Sequence, residues 1–206
     1  MKYRLLEIKV EKAKKVLESK PKTWSDFSKL YSKQEGVIDS FALYNMMMTV
    51  MTYLICMPEL NKFMNENTEF ITKMSEFSSD SVIISINEGF MHIVADRFIP
   101  KGEIAVDLNR HSLFVPDREL RTIEISEGNH ILHYHGGLTN HSCDPTCYVD
   151  NQSNFIRALR DINEGEEINF DYMINESEIS SSFVCQCGSV KCVGTVGTEH
   201  STPTYL

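Results

Sequence analysis

Asn140-His141-Ser142-Cys143-Asp144-Pro145 and, downstream, Phe183-Val184-Cys185-Gln186-Cys187-Gly188-Ser189-Val190-Lys191-Cys192-Val193-Gly194 are the stretches on which the reading of this chain turns. Cys185, Cys187 and Cys192 form a C-x-C-x4-C cluster, and three closely spaced thiolates want a fourth ligand from elsewhere. Cys143 offers one such thiol and Cys147 a second. Zinc held by four thiolates is tetrahedral and closed, which makes a site of this kind structural rather than catalytic. Its binding free energy would hold down a tail too short to bury much apolar surface by itself. The cluster, with the Asn-His-Ser-Cys tetrad, predicts one structural Zn²⁺ that pins the C-terminal segment to the body.

Three blocks in this order and spacing, Asn140 to Pro145, Arg157 to Tyr172 (RALRDINEGEEINFDY) and Phe183 to Gly194, resemble the core and post-SET segments of SET-domain lysine methyltransferases. Ala95 to Glu103 (ADRFIPKGE) is similar to the early strand and turn of that family, so the resemblance runs over roughly residues 82 to 197. Pro116 to His130 is short where many relatives carry a long substrate-reading insert, a compactness shared with small bacterial members.

The resemblance implies a mainly β SET domain of the β-clip type with a threaded pseudoknot. It implies an S-adenosylmethionine-dependent N-methyltransferase acting on lysine in a protein or peptide. Tyr172 matches the tyrosine set against the transferring methyl and the lysine nitrogen, and Phe170 matches a residue lining the lysine channel. Asn140 and His141 match the pair at the cofactor. Cys143, rather than Cys147, holds the family's position for the fourth zinc ligand beside Cys185, Cys187 and Cys192. Phe90 and His92 fall where a Gly-x-Gly lets backbone groups approach the cofactor, with Gly89 one position out of phase; a Cβ at such a position obstructs that approach. Leu138 stands where relatives carry an aromatic residue.

The chemistry explains these residue types. Methyl transfer from a sulfonium to an amine is an in-line displacement that needs alignment in a dry channel more than covalent help. The amine must be neutral, and burial beside a positive sulfonium lowers its pKa through desolvation and like-charge repulsion. Phe170 and Tyr172, two apart, are expected to share one face of a strand. The resemblance implies that a Tyr hydroxyl at the Phe170 position holds a water that crowds out a methylated amine; Phe170 has no hydroxyl, so a di- or trimethylating enzyme is expected.

Composition agrees with a globular chain: 206 residues, 42% hydrophobic and 24% charged, enough for one domain and a modest extra module. Charge is uneven, with a balance of +1 over residues 1–80 and −10 over residues 81–206. An acidic half is a poor partner for phosphate and argues against direct nucleic-acid binding, but it attracts a cationic segment. No signal peptide is evident at the N-terminus. Phe41 to Met57 is apolar for 17 residues but holds Asn45 and two threonines, short of the roughly 20 residues a membrane span needs. It reads as a buried or partner-facing helix. Cysteines in zinc spacing suit a reducing compartment, hence an intracellular protein of cytoplasm or nucleus. No feature marks an oligomeric state.

The first 78 residues read as a helical module of unknown role. A Lys/Glu-rich helix with Val16 and Leu17 stops before Pro21, and a second carries Trp24, Phe27, Leu30 and Tyr31. The Met-rich stretch forms a third, and Pro58 opens a fourth. Ser78 to Ser81 reads as a linker. Short β-branched runs follow at Val82–Ile84, Met91–Ala95, Ile104–Leu108, Thr122–Ile125, Cys147–Val149, Phe155–Leu159 and Ile168–Tyr172, separated by turns at Pro100-Lys101-Gly102 and Asn163-Glu164-Gly165. The expected organisation is a helical module over 1–78, a SET domain over 79–180, a zinc segment over 181–197 and a tail over 198–206. His130, His133 and His135 allow either a metal site or a polar approach to the Asn140 loop, with Gly136-Gly137 as a hinge. Two rival functions fit the same residues. One is N-methylation of a small amine or peptide metabolite in a Met-rich pocket. The other is a SET-like interaction module without catalysis.

Overall fold

The computed structural model of the chain describes residues 80–87, 90–115 (backbone alone at residue 90) and 118–197, together with residues 11, 12, 15, 16, 18, 19, 26, 29–31 and 33. Val82–Asn87 (β1) and Phe90–Ala95 (β2) pair antiparallel with no slip in register from Val82↔Ala95 to Asn87↔Phe90. Val82, Ile84, Ile93 and Ala95 are buried, the period-2 pattern expected of a strand with one face on a core.

Two three-stranded sheets follow. Ile104–Asp107 (β3), Phe155–Ala158 (β9) and Cys147–Asp150 (β8) lie in the order β3-β9-β8. Leu113–Val115 (β4), Asn129–Leu132 (β6) and Thr122–Ser126 (β5) lie in the order β4-β6-β5. The short strands Asn140–His141 (β7) and Asn169–Phe170 (β10) pair in parallel, and Phe183–Val184 (β11) pairs antiparallel with Thr195–Val196 (β12). A 3-10 turn, Gly136–Leu138, precedes β7, and a one-turn helix, Tyr172–Asn175 (α1), follows β10.

Both expected turns close. The Glu103 N–H donates to the Pro100 carbonyl and the Glu166 N–H to that of Asn163, with Gly102 and Gly165 at φ of 83° and 82°. That is the type II position in which a Cβ is strained. The segment after Asn163 docks on β2 through the Ala95 N–H to the Glu166 carbonyl and the Ile168 N–H to the Ile93 carbonyl. The core gathers Ile93, Ile99, Val106, Ile156, Ile162 and Ile168 from these layers, and truncating one to Ala costs about 2–5 kcal/mol.

Glu11, Lys12, Lys15, Val16 and Glu18 are helical, as are Asp26, Lys29, Leu30, Tyr31 and Lys33. Val16 and Tyr31 are buried in the same core as the strands. The Met-rich stretch 41–57, the helix expected from Pro58, Gly89 and the tail 198–206 lie outside the described residues. At the expected linker, Asp80 and Ser81 belong to the body. The Ser81 N–H donates to the Ala105 carbonyl, and the Asp80 carboxylate accepts from the Asp107 N–H at 3.0 Å while meeting His135 Nδ1 at 2.6 Å. Among the described residues, no helix is long and apolar enough to cross a membrane.

Candidate active site and thiol cluster

The β7–β10 pair brings Asn140 opposite Asn169 and His141 opposite Phe170. β10 ends at Phe170. Asp171 then caps α1, its side chain accepting from the Met173 N–H at 2.9 Å. Tyr172 therefore opens a helix and does not continue the strand, which corrects the expectation that alternation puts Phe170 and Tyr172 on one strand face. The turn brings their rings together all the same, with centroids 4.9 Å apart. His141 and Phe183 close the cluster at 5.3 and 6.3 Å from the Tyr172 ring.

Tyr172 is held at both ends. Its N–H donates to His141 Nδ1 at 3.2 Å, and its hydroxyl donates to the Thr139 carbonyl at 2.6 Å. Burial, with the charges of Glu176 and Glu167, pushes the phenol well above its ordinary pKa, so it stays protonated near neutral pH. Because His141 Nδ1 accepts, the ring proton sits on Nε2, which faces Cys143 Sγ at 3.2 Å.

Two cavities meet at this tyrosine. A cleft of about 680 Å³ is bounded by Met91, Leu138, Asn140, His141, Gln186 and Tyr172. A narrow pocket of about 70 Å³ is lined by Ile123, Thr139, Phe170, Glu176, Phe183 and Tyr172. Tyr172 and Phe183 belong to both walls. Asn140 is exposed at the cleft, its amide donating to Glu167 Oε1 at 2.7 Å.

The Sγ atoms of Cys143, Cys185, Cys187 and Cys192 all lie within 4.8 Å of one another. Cys143 and Cys185 are 3.8 Å apart, the separation of about 3.8 Å that a tetrahedron with Zn–S bonds near 2.3 Å requires. The tail is shaped for this. β11 pairs with β12, the Cys185 N–H donates to the Gly194 carbonyl, and the Val193 N–H points at Cys143 Sγ at 3.5 Å. The cluster packs against Tyr172, Met173 and Ile179. Cys147 is elsewhere, buried in the main core, where burial pushes its thiol up to about 12.

At the Gly-x-Gly position, Phe90 begins β2 opposite Asn87, and the unslipped ladder shows no bulge within the paired residues. Among the described residues Met91 reaches the cleft wall and His92 does not, as expected of neighbours pointing to opposite faces. His133 and His135 form no metal site. His135 meets Asp80, and His133 Nδ1 accepts from the Gly136 N–H at 3.0 Å. Gly136 is a packing glycine rather than a hinge, since a Cβ there would sit 2.7 Å from Ile123 Cδ1 and 2.9 Å from Leu108 Cδ2. Thr139, Glu167 and Met91 were not anticipated from the sequence. Thr139 acts through its backbone, which no side-chain pattern reveals.

The family model for the SET domain matches residues 8–173. Histone-lysine N-methyltransferase mes-4 of Caenorhabditis elegans is 33% identical over 113 residues, covering 39% of this chain and 12% of that protein. An H3 lysine-36-specific histone-lysine N-methyltransferase of Schizosaccharomyces pombe is 39% identical over 69 residues, covering 31% of this chain and 8% of that protein. The chain thus spans only a small part of these relatives' length. Among solved structures, KRYPTONITE in complex with mCHG DNA and SAH aligns at 15% identity and a TM-score of 0.43, covering 62% of this chain and 31% of that one.

Proposed function

The chain belongs to the SET-domain family, and from that premise we propose that it is an S-adenosylmethionine-dependent N-methyltransferase acting on lysine in a protein. The observation that carries this reading is the placement of Tyr172 in the wall shared by the wide cleft and the narrow aromatic pocket. The cofactor belongs in the cleft, whose volume and mixed lining suit a nucleoside with an amino-acid arm. Asn140 offers its amide there, and His141 and Leu138 the wall. The lysine side chain belongs in the pocket between Phe170, Tyr172 and Phe183.

When bound, S-adenosylmethionine supplies a methyl group on a positive sulfonium. The residues of the chain do the rest. Phe170 and Phe183 exclude water and so favour the neutral amine. The Tyr172 hydroxyl spends its proton on the Thr139 carbonyl, which leaves its lone pairs to accept from the amine N–H and turn the nitrogen towards the methyl. The acidic half of the chain draws in a cationic segment. Cys143, Cys185, Cys187 and Cys192 would hold a structural zinc that fixes β11 and Phe183 against Tyr172. A reaction on protein lysine places the enzyme inside the cell, in cytoplasm or nucleus.

Calorimetric titration with S-adenosylhomocysteine tests the reading. Saturable micromolar binding that Asn140→Ala weakens is expected. The sequence carries Phe90 and His92 where the resemblance sets Gly-x-Gly, with Met91 between them on the cleft wall, and this departure favours a second reading, a non-catalytic module. Absence of binding would select that one.

A further inference from the structure

Glu124 lies in the middle of β5 between buried Ile123 and Ile125, yet it is itself only 3% exposed. Its cross-strand partner on β6 is His130, also 3% exposed. Glu176, directly after α1, completes a buried trio in which a carboxylate oxygen of each glutamate and a ring nitrogen of His130 all lie within 4.8 Å of one another. Ionised together in so dry a place, the two carboxylates would repel each other and lose their hydration, so burial and the charge of Glu124 push the Glu176 carboxyl up and a proton or a cation must offset the cost.

The available neutralisation is incomplete. Arg118 Nη2 stands 3.8 Å from Glu124 Oε2, but Arg118 Nη1 is committed to Glu178 at 2.8 Å. Uncharged donors orient the carboxylates: Glu124 accepts from the backbone N–H groups of Gly128 and Ser177, and Glu176 from the backbone N–H of Glu124 and the side-chain amide of Asn175. His130 is different. Its Nδ1 is sealed from solvent and has no hydrogen-bond partner, although buried ring nitrogens are normally satisfied.

We propose that Glu124, His130 and Glu176 form a binding site for a divalent first-row transition cation in the Mn²⁺ to Zn²⁺ range. One imidazole and two carboxylates are a ligand set of intermediate hardness, and three protein ligands leave room for water. A cation meets the charge requirement, and it meets that of the orphaned nitrogen where Nδ1 is the ring atom facing the carboxylates. It takes a lone pair from the imidazole, neutralises the two carboxylates, and draws the ligand atoms together to the roughly 3 Å separations that bonds near 2.1 Å impose. The narrow pocket gives access, since Glu176 lines it. The ion would tie the β5–β6 hairpin to the segment that follows Tyr172. This site is separate from the thiol cluster, and its existence does not depend on methyl transfer.

The chain, first loaded with Zn²⁺ and freed of excess, should be titrated with Mn²⁺, a cation that thiolates hold poorly, while free Mn²⁺ is followed by electron paramagnetic resonance. We expect about one equivalent to bind, Zn²⁺ to displace it as the affinity order requires, and the melting temperature to rise with Mn²⁺. His130→Ala should weaken uptake at least about tenfold. Should that variant fail to fold, Glu176→Gln, which relieves repulsion, decides the matter: it should melt no lower than wild type without added Mn²⁺ and lose the Mn²⁺-dependent rise. No Mn²⁺ uptake by wild type, or uptake unchanged in the variants, would overturn the proposal.

Discussion

The Tyr172 hydroxyl and the Thr139 carbonyl are joined by a 2.6 Å hydrogen bond that crosses from α1 to the residue before β7. A buried phenol can donate only once, so this bond decides which of its electron pairs face the pocket. Tyr172→Phe keeps the ring and its contacts with Phe170 and His141 but removes that oxygen. Turnover should fall about 100-fold, as expected when a reacting pair is misaligned. Affinity for S-adenosylhomocysteine should change little. Measuring both constants on one preparation checks this, and a loss confined to cofactor affinity would remove Tyr172 from the reaction.

Phe170 sets the shape of the pocket beneath that hydroxyl. Phe170→Tyr adds a group able to anchor water where a methylated amine must rotate. The product mixture should shift from di- and trimethyl-lysine towards monomethyl-lysine. Mass spectrometry at matched turnover reads the outcome, and an unchanged distribution would put Phe170 outside the channel.

Metal in the thiol cluster should be stoichiometric and necessary for the tail. Cys187→Ser is expected to release zinc, because an incomplete thiolate set cannot close the tetrahedron. The cluster packs on Tyr172 and Met173, so the same variant should lower the melting temperature and weaken cofactor binding. Metal analysis of wild type and variant is the direct check. Zinc that stayed stoichiometric after two of the four cysteines were replaced would refute the ligand set.

Acid should destabilise the fold in two steps. Burial, together with the charges of His135 and His111 and against the pull of Asp80, holds the His133 imidazole down at about 4. The unfolded chain takes up that proton near pH 6.5. Stability from this group is therefore complete above about pH 6.5 and is lost as pH falls towards 4, by up to about 3 kcal/mol. Burial alone would raise the Asp80 carboxyl, but the hydrogen bond and charge of His135, the charge of His133 and the Asp107 N–H bring it to about 2. Its contribution is lost below the upper step, as pH falls from the ordinary carboxylate range through 2. Urea unfolding against pH should show both steps, and His133→Asn should flatten the upper one.

Gly136→Ala should destabilise the wall of the narrow pocket, which Gly136 and Ile123 both line. The new Cβ would press on Ile123 and Leu108 from opposite neighbours of the turn. Overpacking of this kind costs about 1–3 kcal/mol, which thermal melting resolves.

The parts of the site legible in the sequence are those whose residues sit close together in the chain. Cys185, Cys187 and Cys192 announce themselves by spacing, and Asn140, His141 and Cys143 by their shared tetrad. Phe170 and Tyr172 are two apart, although the local geometry differs from the expected strand. Asp171 carried the signal for that difference, being a helix-capping residue, but the apolar run before it reads as continuing extension. β7, β10, β11 and β12 are two residues each, too short for any periodic pattern. Met91 on the cleft wall, in place of His92, depends on the phase of β2, which a glycine near its start leaves open. Glu124 falls within the expected strand Thr122–Ile125 with nothing to single it out, because an inward carboxylate has no signature until its partners from β6 and the segment after α1 are in place.

The β7–β10 pairing also sets the order in which the molecule comes together. The partners of Tyr172 are at Thr139, His141 and Phe183, and Cys143 must find Cys185 across 42 residues of chain. None of these contacts is local, and each requires a loop to close before it returns any free energy. A chain that has formed only its hairpins holds neither a closed thiol cluster nor a walled pocket. The walls of the site and the closed thiol cluster accordingly exist only in a chain whose long-range contacts have been made.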